Sequence, residues 1–244
     1  MEQHQYELMF NREENHWWYA GNRRIIQALL DRHIKQRVKI LDAGCGTGKN
    51  MEFLSRYGNV NGIDINDHAI DFCKKRDLNV QKASVELLPF KDDYFDLVTS
   101  FEVLYHQNVN SWQSALKELS RVTKPGGLIL IRVPAFKSLF GSHDIVVQTK
   151  HRFHKKELEL AAINSGLDIV KSSYCNITPF FPTLMIRSIQ RIIGLKNNKA
   201  DTETENKTIN KIMLFTLTLE SKLININFPF GVSALCLAKK PLYK

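Results

Sequence analysis

An α/β fold on a mostly parallel sheet is predicted by three features of the sequence. Short apolar runs alternate with segments of helical period along most of the chain, the order in which a parallel sheet becomes covered by helices on both faces. The stretch "VKILDAGCGTGKN" reads as strand, glycine turn and helix, with Gly44, Gly46 and Gly48 allowing the backbone to turn sharply against a bound molecule. With 244 residues and 43% hydrophobic composition, the chain is long enough for one large domain with a full core.

Each element follows in order. Glu13 to Ile34 reads as one or two helices ahead of the sheet. "VKILD" is a buried strand, and Lys49 to Tyr57 is the helix after the glycine turn, stopped near Gly58. "VNGIDIN" is a second strand, Asp67 caps a helix running to about Arg76, and "NVQKAS" is a short third strand. "YFDLVTSF" is a strand, Ser111 to Val122 a helix, and "KPGG" a turn into the strand "LILIRVPA". A helix at Lys155 to Ser165, a strand at Leu167 to Tyr174 and a final strand within "GVSALCLAKK" complete the series.

Two segments break the rhythm. Phe136 to His154 is a long connection of the kind that carries function. Asn176 to Phe230 holds "TPFFP", an apolar helix with Arg187 and Arg191, the polar run "KNNKADTETENKT" read as an exposed loop, and a second helix near Ile209 to Leu223.

Composition narrows the function classes. The four cysteines (Cys45, Cys73, Cys175, Cys236) have no paired spacing, which fits neither a disulfide framework nor a zinc site and leads us to expect a reducing compartment. The polar start "MEQHQYELMF" and the lack of a membrane-length apolar run lead us to expect a cytoplasmic protein. The formal charge of +9 gathers at 23–39, 150–156, 187–199 and the carboxyl end, as solvated helix faces or as sites for anions. No nucleic-acid module accompanies it.

The glycine turn selects among ligands by charge. A Walker-type phosphate loop fails, because Ala43 stands where its first glycine belongs and Asn50 where its hydroxyl belongs. A dinucleotide loop spaces its glycines differently, and Asp42 beside them disfavours a pyrophosphate while favouring a ligand with a positive end. Asp64, at the end of the second strand, is placed to accept hydrogen bonds from ribose hydroxyls. A nucleoside with a cationic end is S-adenosylmethionine.

With "LDAGCGTG", "GIDIN", "LPFKDDYFDLVTSFEVLYH" and "RVTKPGGLIL" in this order, the chain resembles the class I S-adenosylmethionine-dependent methyltransferases over roughly Lys39 to Val133, in the small-molecule branch similar to quinone-biosynthesis methyltransferases. The resemblance implies a Rossmann-like, seven-stranded sheet with its last strand antiparallel, and a single domain divided into an N-terminal helical cap (1–37), a cofactor-binding core (38–175), a helical insertion or lid (176–230) and a final strand and tail (231–244). It further implies that Asp42, Gly44, Gly46 and Gly48 hold the methionine part, Asp64 the ribose, and Ile65 the adenine. Ser84, where the family often has an acid, and Val85 would meet the adenine edge, with Phe101 beside the cofactor. A narrower group of these enzymes is similar at "HWWY…RR" (His16 to Arg24), at His143 to Leu158, and in the closing "TLESKLININFPFGVSALCLAKK".

Methyl transfer needs positioning and exclusion of water, and a base only where the acceptor carries a proton. His143, Asp144 and His151 are candidate bases, as is His106, whose other reading is packing near the sheet edge. Arg152 either holds an anionic substrate group or pairs with Glu157 or Asp144. His16, Tyr19 and Arg23 are candidate lid residues, while Trp17 and Trp18 either close over the site or pack the first helix on the sheet. In "TLMIRSIQRIIGL", Met185, Ile186, Ile189, Ile192 and Ile193 share a face opposed to Arg187 and Arg191, as a membrane-touching helix or as a lid packed on the core. The expected acceptor is a small or lipid-linked molecule, and the basic clusters favour an anionic one. RNA or protein methylation and a catalytically silent S-adenosylmethionine-binding partner are the alternatives.

Overall fold

The computed structural model describes residues 3–193 and 206–242. Seven strands form one sheet in the order β3-β2-β1-β4-β5-β7-β6. They are β1 (Val38–Ala43), β2 (Gly58–Asp64), β3 (Val80–Lys82), β4 (Phe95–Phe101), β5 (Thr123–Pro134), β6 (Asp168–Cys175) and β7 (Ser233–Lys239). β1 to β5 run parallel, and β7 lies antiparallel between β5 and β6. Strands covered on both faces stay apolar along their length, so Ile40, Leu41, Leu97, Val98, Ile129 and Leu130 are fully buried.

The helices are α1 (Gln3–Arg12), α2 (Trp17–His33), α3 (Lys49–Leu54), α4 (Asp67–Lys75), α5 (Trp112–Val122), α6 (Ser142–Val146), α7 (Lys155–Asn164), α8 (Phe180–Ile193) and α9 (Lys207–Lys222), with a 3-10 turn at Lys137–Leu139. Several boundaries differ from the sequence expectation for identifiable reasons. The first helix, α1, precedes Glu13, and Glu13 to His16 join it to α2. Asn66, not Asp67, caps α4, because its side chain accepts from the His68 backbone N–H at 2.9 Å. "KPGG" belongs to β5 rather than to a free turn, Gly126 at φ +80 and a register shift between Phe95 and Leu97 absorbing the irregularity. The 136–154 connection is folded into the 3-10 turn and α6. Most of the polar run after Leu195 lies outside the described residues.

α9 packs along α2 at Gly21, where an added Cβ would stand 2.5 Å from Leu217 Cδ1. The glycine lets the two helices approach closely and seats α9 against α2. No helix among the described residues is long and apolar enough to cross a membrane. Strand order reverses direction between β1 and β4, and crevices at such a switch point, beyond the carboxyl ends of the strands, are where open α/β sheets hold ligands.

Candidate functional site

The glycine turn leaves β1 at this crevice. Gly44, Gly46 and Gly48 all take positive φ (+85, +55 and +90), a region other residues adopt at a cost. Backbone N–H groups of Gly44 and Cys45 donate to the Ile63 carbonyl, so the turn is sewn to the end of β2. Asp64 completes that seam. Its carboxylate accepts from the Gly46 N–H at 3.0 Å and from the Asn66 N–H at 2.9 Å, and burial raises its pKa against those bonds.

A cavity of about 200 Å³ opens over this turn. Gly44, Gly46, Asp64, Ile65, Ser84, Val85 and Phe101 of the expected cofactor set line it, together with Tyr19 and Arg23 of the expected lid. Asp42 and Gly48 do not. Asp42 lies behind the wall, wholly buried, with Oδ1 accepting from the Thr99 hydroxyl at 2.8 Å and Oδ2 accepting no hydrogen bond. Burial, opposed by the Thr99 bond, pushes its carboxyl up to about 7. Gly48 instead makes room for neighbours, since a Cβ there would stand 2.4 Å from Leu78 Cδ1. The negative wall expected from Asp42 is supplied by Asp64 and by Glu102.

α1 roofs the cavity with Tyr6 and Met9, and Glu13 continues that roof. A polar network holds it there. Thr47 donates to Glu13 at 2.6 Å, Arg76 donates to Glu13 at 2.7 Å and to the Thr47 carbonyl at 3.0 Å, and Arg23 donates to the Glu13 carbonyl at 2.6 Å. His16 is not part of the lining. It caps α2, its Nδ1 accepting from the Trp18 N–H at 3.3 Å. His106 lines the cavity, but burial lowers its pKa to about 4, so it is neutral at pH 7.

A second cavity, about 320 Å³, lies beside the first between α2, α6 and α8. Trp18, Glu102 and Tyr105 line both. Glu102 stands at this shared wall with φ +59, strained for a residue with a Cβ, and its carboxylate accepts from Arg132 Nε at 3.0 Å. Burial raises its pKa and Arg132 opposes the rise. Arg132 lines the first cavity, and its Nη1 is buried without an acceptor. Sequence reading missed Glu102, Arg132 and α1; an acid inside the otherwise apolar and aromatic "SFEVLYH" was the available signal for the first.

Of the expected catalytic residues, His143, Asp144 and Arg152 reach the second cavity and His151 does not. His151 stacks on Trp112 and bonds Glu157 at 2.9 Å, a packing role. Arg152 pairs with Asp144, not Glu157: Nε to Oδ1 is 2.8 Å, Nη2 to Oδ2 is 3.1 Å, and Nη1 donates to the Ala135 carbonyl at 2.9 Å. Both side chains are buried and each of their side-chain nitrogen and carboxylate oxygen atoms has a partner, so the pair braces this wall.

Residues 41–131 match the methyltransferase domain family. The matched segment takes in the glycine turn, β2, β3 and β4, the part of the chain that forms most of the first cavity. Among curated proteins, the chain is 33% identical over 127 residues to a demethylmenaquinone methyltransferase of Staphylococcus haemolyticus, covering 46% of this chain and 52% of that one. It is 39% identical over 95 residues to the tRNA (carboxymethyluridine(34)-5-O)-methyltransferase of Arabidopsis thaliana, covering 38% of this chain and 23% of that one. The chain thus spans about half or less of the length of these relatives. Among solved structures, a Haloferax volcanii methyltransferase in complex with the Trm112 activator superposes with TM-score 0.64 at 19% identity, covering 99% of this chain and 95% of that one. A SAM-dependent methyltransferase from Archaeoglobus fulgidus gives 0.58 at 21%, covering 89% and 94%. At such identities these structures share the methyltransferase domain's fold.

The cofactor class can be tested against the residues present. The first cavity offers backbone from a glycine turn, two carboxylates (Asp64, Glu102) and one buried guanidinium N–H lacking an acceptor (Arg132). Acceptors for hydroxyls and for an ammonium beside a donor for a carboxylate suit the ribose and the zwitterionic amino-acid end of S-adenosylmethionine. A polyphosphate would face two carboxylates.

Proposed function

We propose that the protein transfers a methyl group from S-adenosylmethionine to a small-molecule or lipid-linked acceptor, as one domain in which residues 1–37 cap the 38–175 core and 176–230 cover the acceptor. The observation that carries this reading is the pair of cavities meeting at Trp18, Glu102 and Tyr105. Asp64 and Ile65 would hold the nucleoside, the Gly44–Gly46 backbone and Arg132 the amino-acid end, and Tyr6, Met9 and Arg23 would keep water out. The bound cofactor supplies an electrophilic methyl on a sulfonium.

The chain's own part is to aim the acceptor across the shared wall. Trp18 and Tyr105 give the acceptor a flat, largely apolar seat, and Glu102, the one carboxylate common to both cavities, takes the proton of an acceptor hydroxyl or activated carbon. Asp144 and Arg152 hold the far side in place.

The test is incubation with S-adenosylmethionine labelled in its methyl group and a cell extract, followed by separation into organic-soluble, RNA and protein fractions. Label in the organic-soluble or small-molecule fraction is the expected result. The +9 charge and the Arabidopsis tRNA relative favour RNA as the second reading. Label in RNA, reduced when the reaction is run at high salt, would replace the acceptor proposed here, and cofactor binding without any label would point to a silent binding protein.

A further inference from the structure

α8 is turned opposite to a helix packed on its own core. Arg187 is buried, its side chain lying against Gly141, where an added Cβ would come within 2.4 Å of Arg187 Cδ, and it lines the second cavity with Thr183. The apolar residues face out. Phe181, Met185, Ile189 and Ile192 recur at four-, four- and three-residue intervals and are 59%, 61%, 45% and 84% exposed, forming one stripe along the helix. Of the described residues of α8, the apolar stripe lies on the outer side and is not packed on the core.

Charge indicates what covers this stripe. α8 contains no acidic residue. Arg191 is exposed, and its Nη2 donates to the Ser138 carbonyl, beside exposed Lys137, so two cations stand at one edge of the helix. The nearest long helix in sequence, α9, carries exposed Lys207, Lys211 and Lys222, while its one carboxylate, Glu220, is buried and accepts from the backbone N–H groups of Asn176 and Ile177. Two copies of such a surface would oppose like charges, in a chain whose formal charge is already +9. An apolar stripe bordered by cations fits the boundary between acyl chains and acidic headgroups.

We propose that the outer face of α8 docks on an anionic membrane surface, bringing the second cavity to the lipid boundary. Ile186 joins the two regions, since it lines that cavity and is also 48% exposed. The docking rests on the methyltransferase reading only in treating the second cavity as the acceptor room; the surface itself needs no cofactor.

The test uses the full chain in co-sedimentation with phosphatidylcholine vesicles with and without phosphatidylglycerol. Partition onto the acidic vesicles should exceed that onto neutral ones by roughly 30-fold, the contribution of two cations near an anionic surface. The double variant Ile189→Glu, Ile192→Glu, altered only at exposed positions outside both cavities, should lose at least tenfold of that partition, given the unfavourable transfer of carboxylates. Its circular dichroism and S-adenosylmethionine affinity should stay unchanged. Wild-type protein that remains in the supernatant overturns the proposal, as does a wild-type dimer that ignores vesicles and becomes monomeric in the variant, which would make a second copy the occupant. Cofactor binding without vesicle binding would end this proposal alone, and vesicle binding without cofactor binding would end the methyltransferase reading alone.

Discussion

Replacing Asp144 by Ala should destabilise the protein far more than a surface ion pair would lead one to expect. Asp144 is 1% and Arg152 8% exposed, and the carboxylate accepts both guanidinium bonds and the Gly141 N–H at 2.8 Å. Removing it leaves a guanidinium buried with only the Ala135 carbonyl. Breaking such a pair from one side costs about 3 to 5 kcal/mol, because the surviving charge is desolvated without compensation. For a chain of this size each kcal/mol lowers Tm by roughly 2 to 4 °C, so the variant should melt about 6 to 20 °C lower. The double variant Asp144→Leu, Arg152→Met should recover much of that loss, since it removes both charges together. Calorimetric melting of the three proteins decides the matter. If Asp144→Ala melted within 2 °C of wild type while abolishing turnover, the pair would be catalytic and the bracing role wrong.

Other expectations concern the cofactor side. Asp64→Ala removes the acceptor of the Gly46 and Asn66 N–H groups and should weaken S-adenosylmethionine binding by at least tenfold in calorimetric titration, the scale of a lost charge-assisted hydrogen bond; unchanged affinity would displace the ribose from this site. Glu102→Gln keeps an acceptor for Arg132 but no base and no charge beside the cofactor's ammonium, and should lower kcat by about 10² to 10⁴ as well as weaken cofactor binding. Because burial raises the Glu102 pKa and a base must be ionised, wild-type kcat should climb as pH passes through that raised value, and the Gln variant should lack the climb. Asp42, pushed up to about 7 against an ordinary 3.8, favours its protonated form in the folded chain, so its contribution to stability is greatest below the unfolded value and is lost as pH rises towards 7. Denaturant titrations of cofactor-free Asp42→Asn and wild type at pH 5 and pH 8 should show the variant gaining about 2 to 3 kcal/mol relative to wild type between those pH values. An equal change in both proteins would contradict it.

Much of the fold was legible because the signals are local. The apolar runs at Val38, Phe95 and Leu128 are too short for core helices and are bounded by turn residues, and the positive φ of Gly44 and Gly46 follows from their lack of Cβ. Asp64 was placed by its position at the end of the second strand, and the motif resemblance put Ile65 and Phe101 beside it; all three line the first cavity. What was not legible depends on contacts distant in sequence. Whether Asp42 faces ligand or core is decided by Thr99, 57 residues away, and the choice of Asp144 over Glu157 as the partner of Arg152 is made by where α6 places Asp144. His151, between α6 and α7, owes its packing role to Trp112 at the start of α5. The outward stripe of α8 depends on the room Gly141 leaves for Arg187, which helical periodicity cannot reveal. α1 was hidden by its polar composition, although Tyr6, Met9 and Phe10 fall at helical spacing and reach the cofactor cavity or Phe72 of α4.

The central claim is that the glycine-turn cavity binds S-adenosylmethionine through a carboxylate-lined wall. Isothermal titration of the purified chain with S-adenosylmethionine, S-adenosylhomocysteine and NAD tests it most directly. Saturable binding of the two sulfur nucleosides with no NAD binding is the predicted result. Binding of NAD with neither sulfur nucleoside would contradict the reading of Asp64, Glu102 and Arg132, and would make this crevice a dinucleotide site.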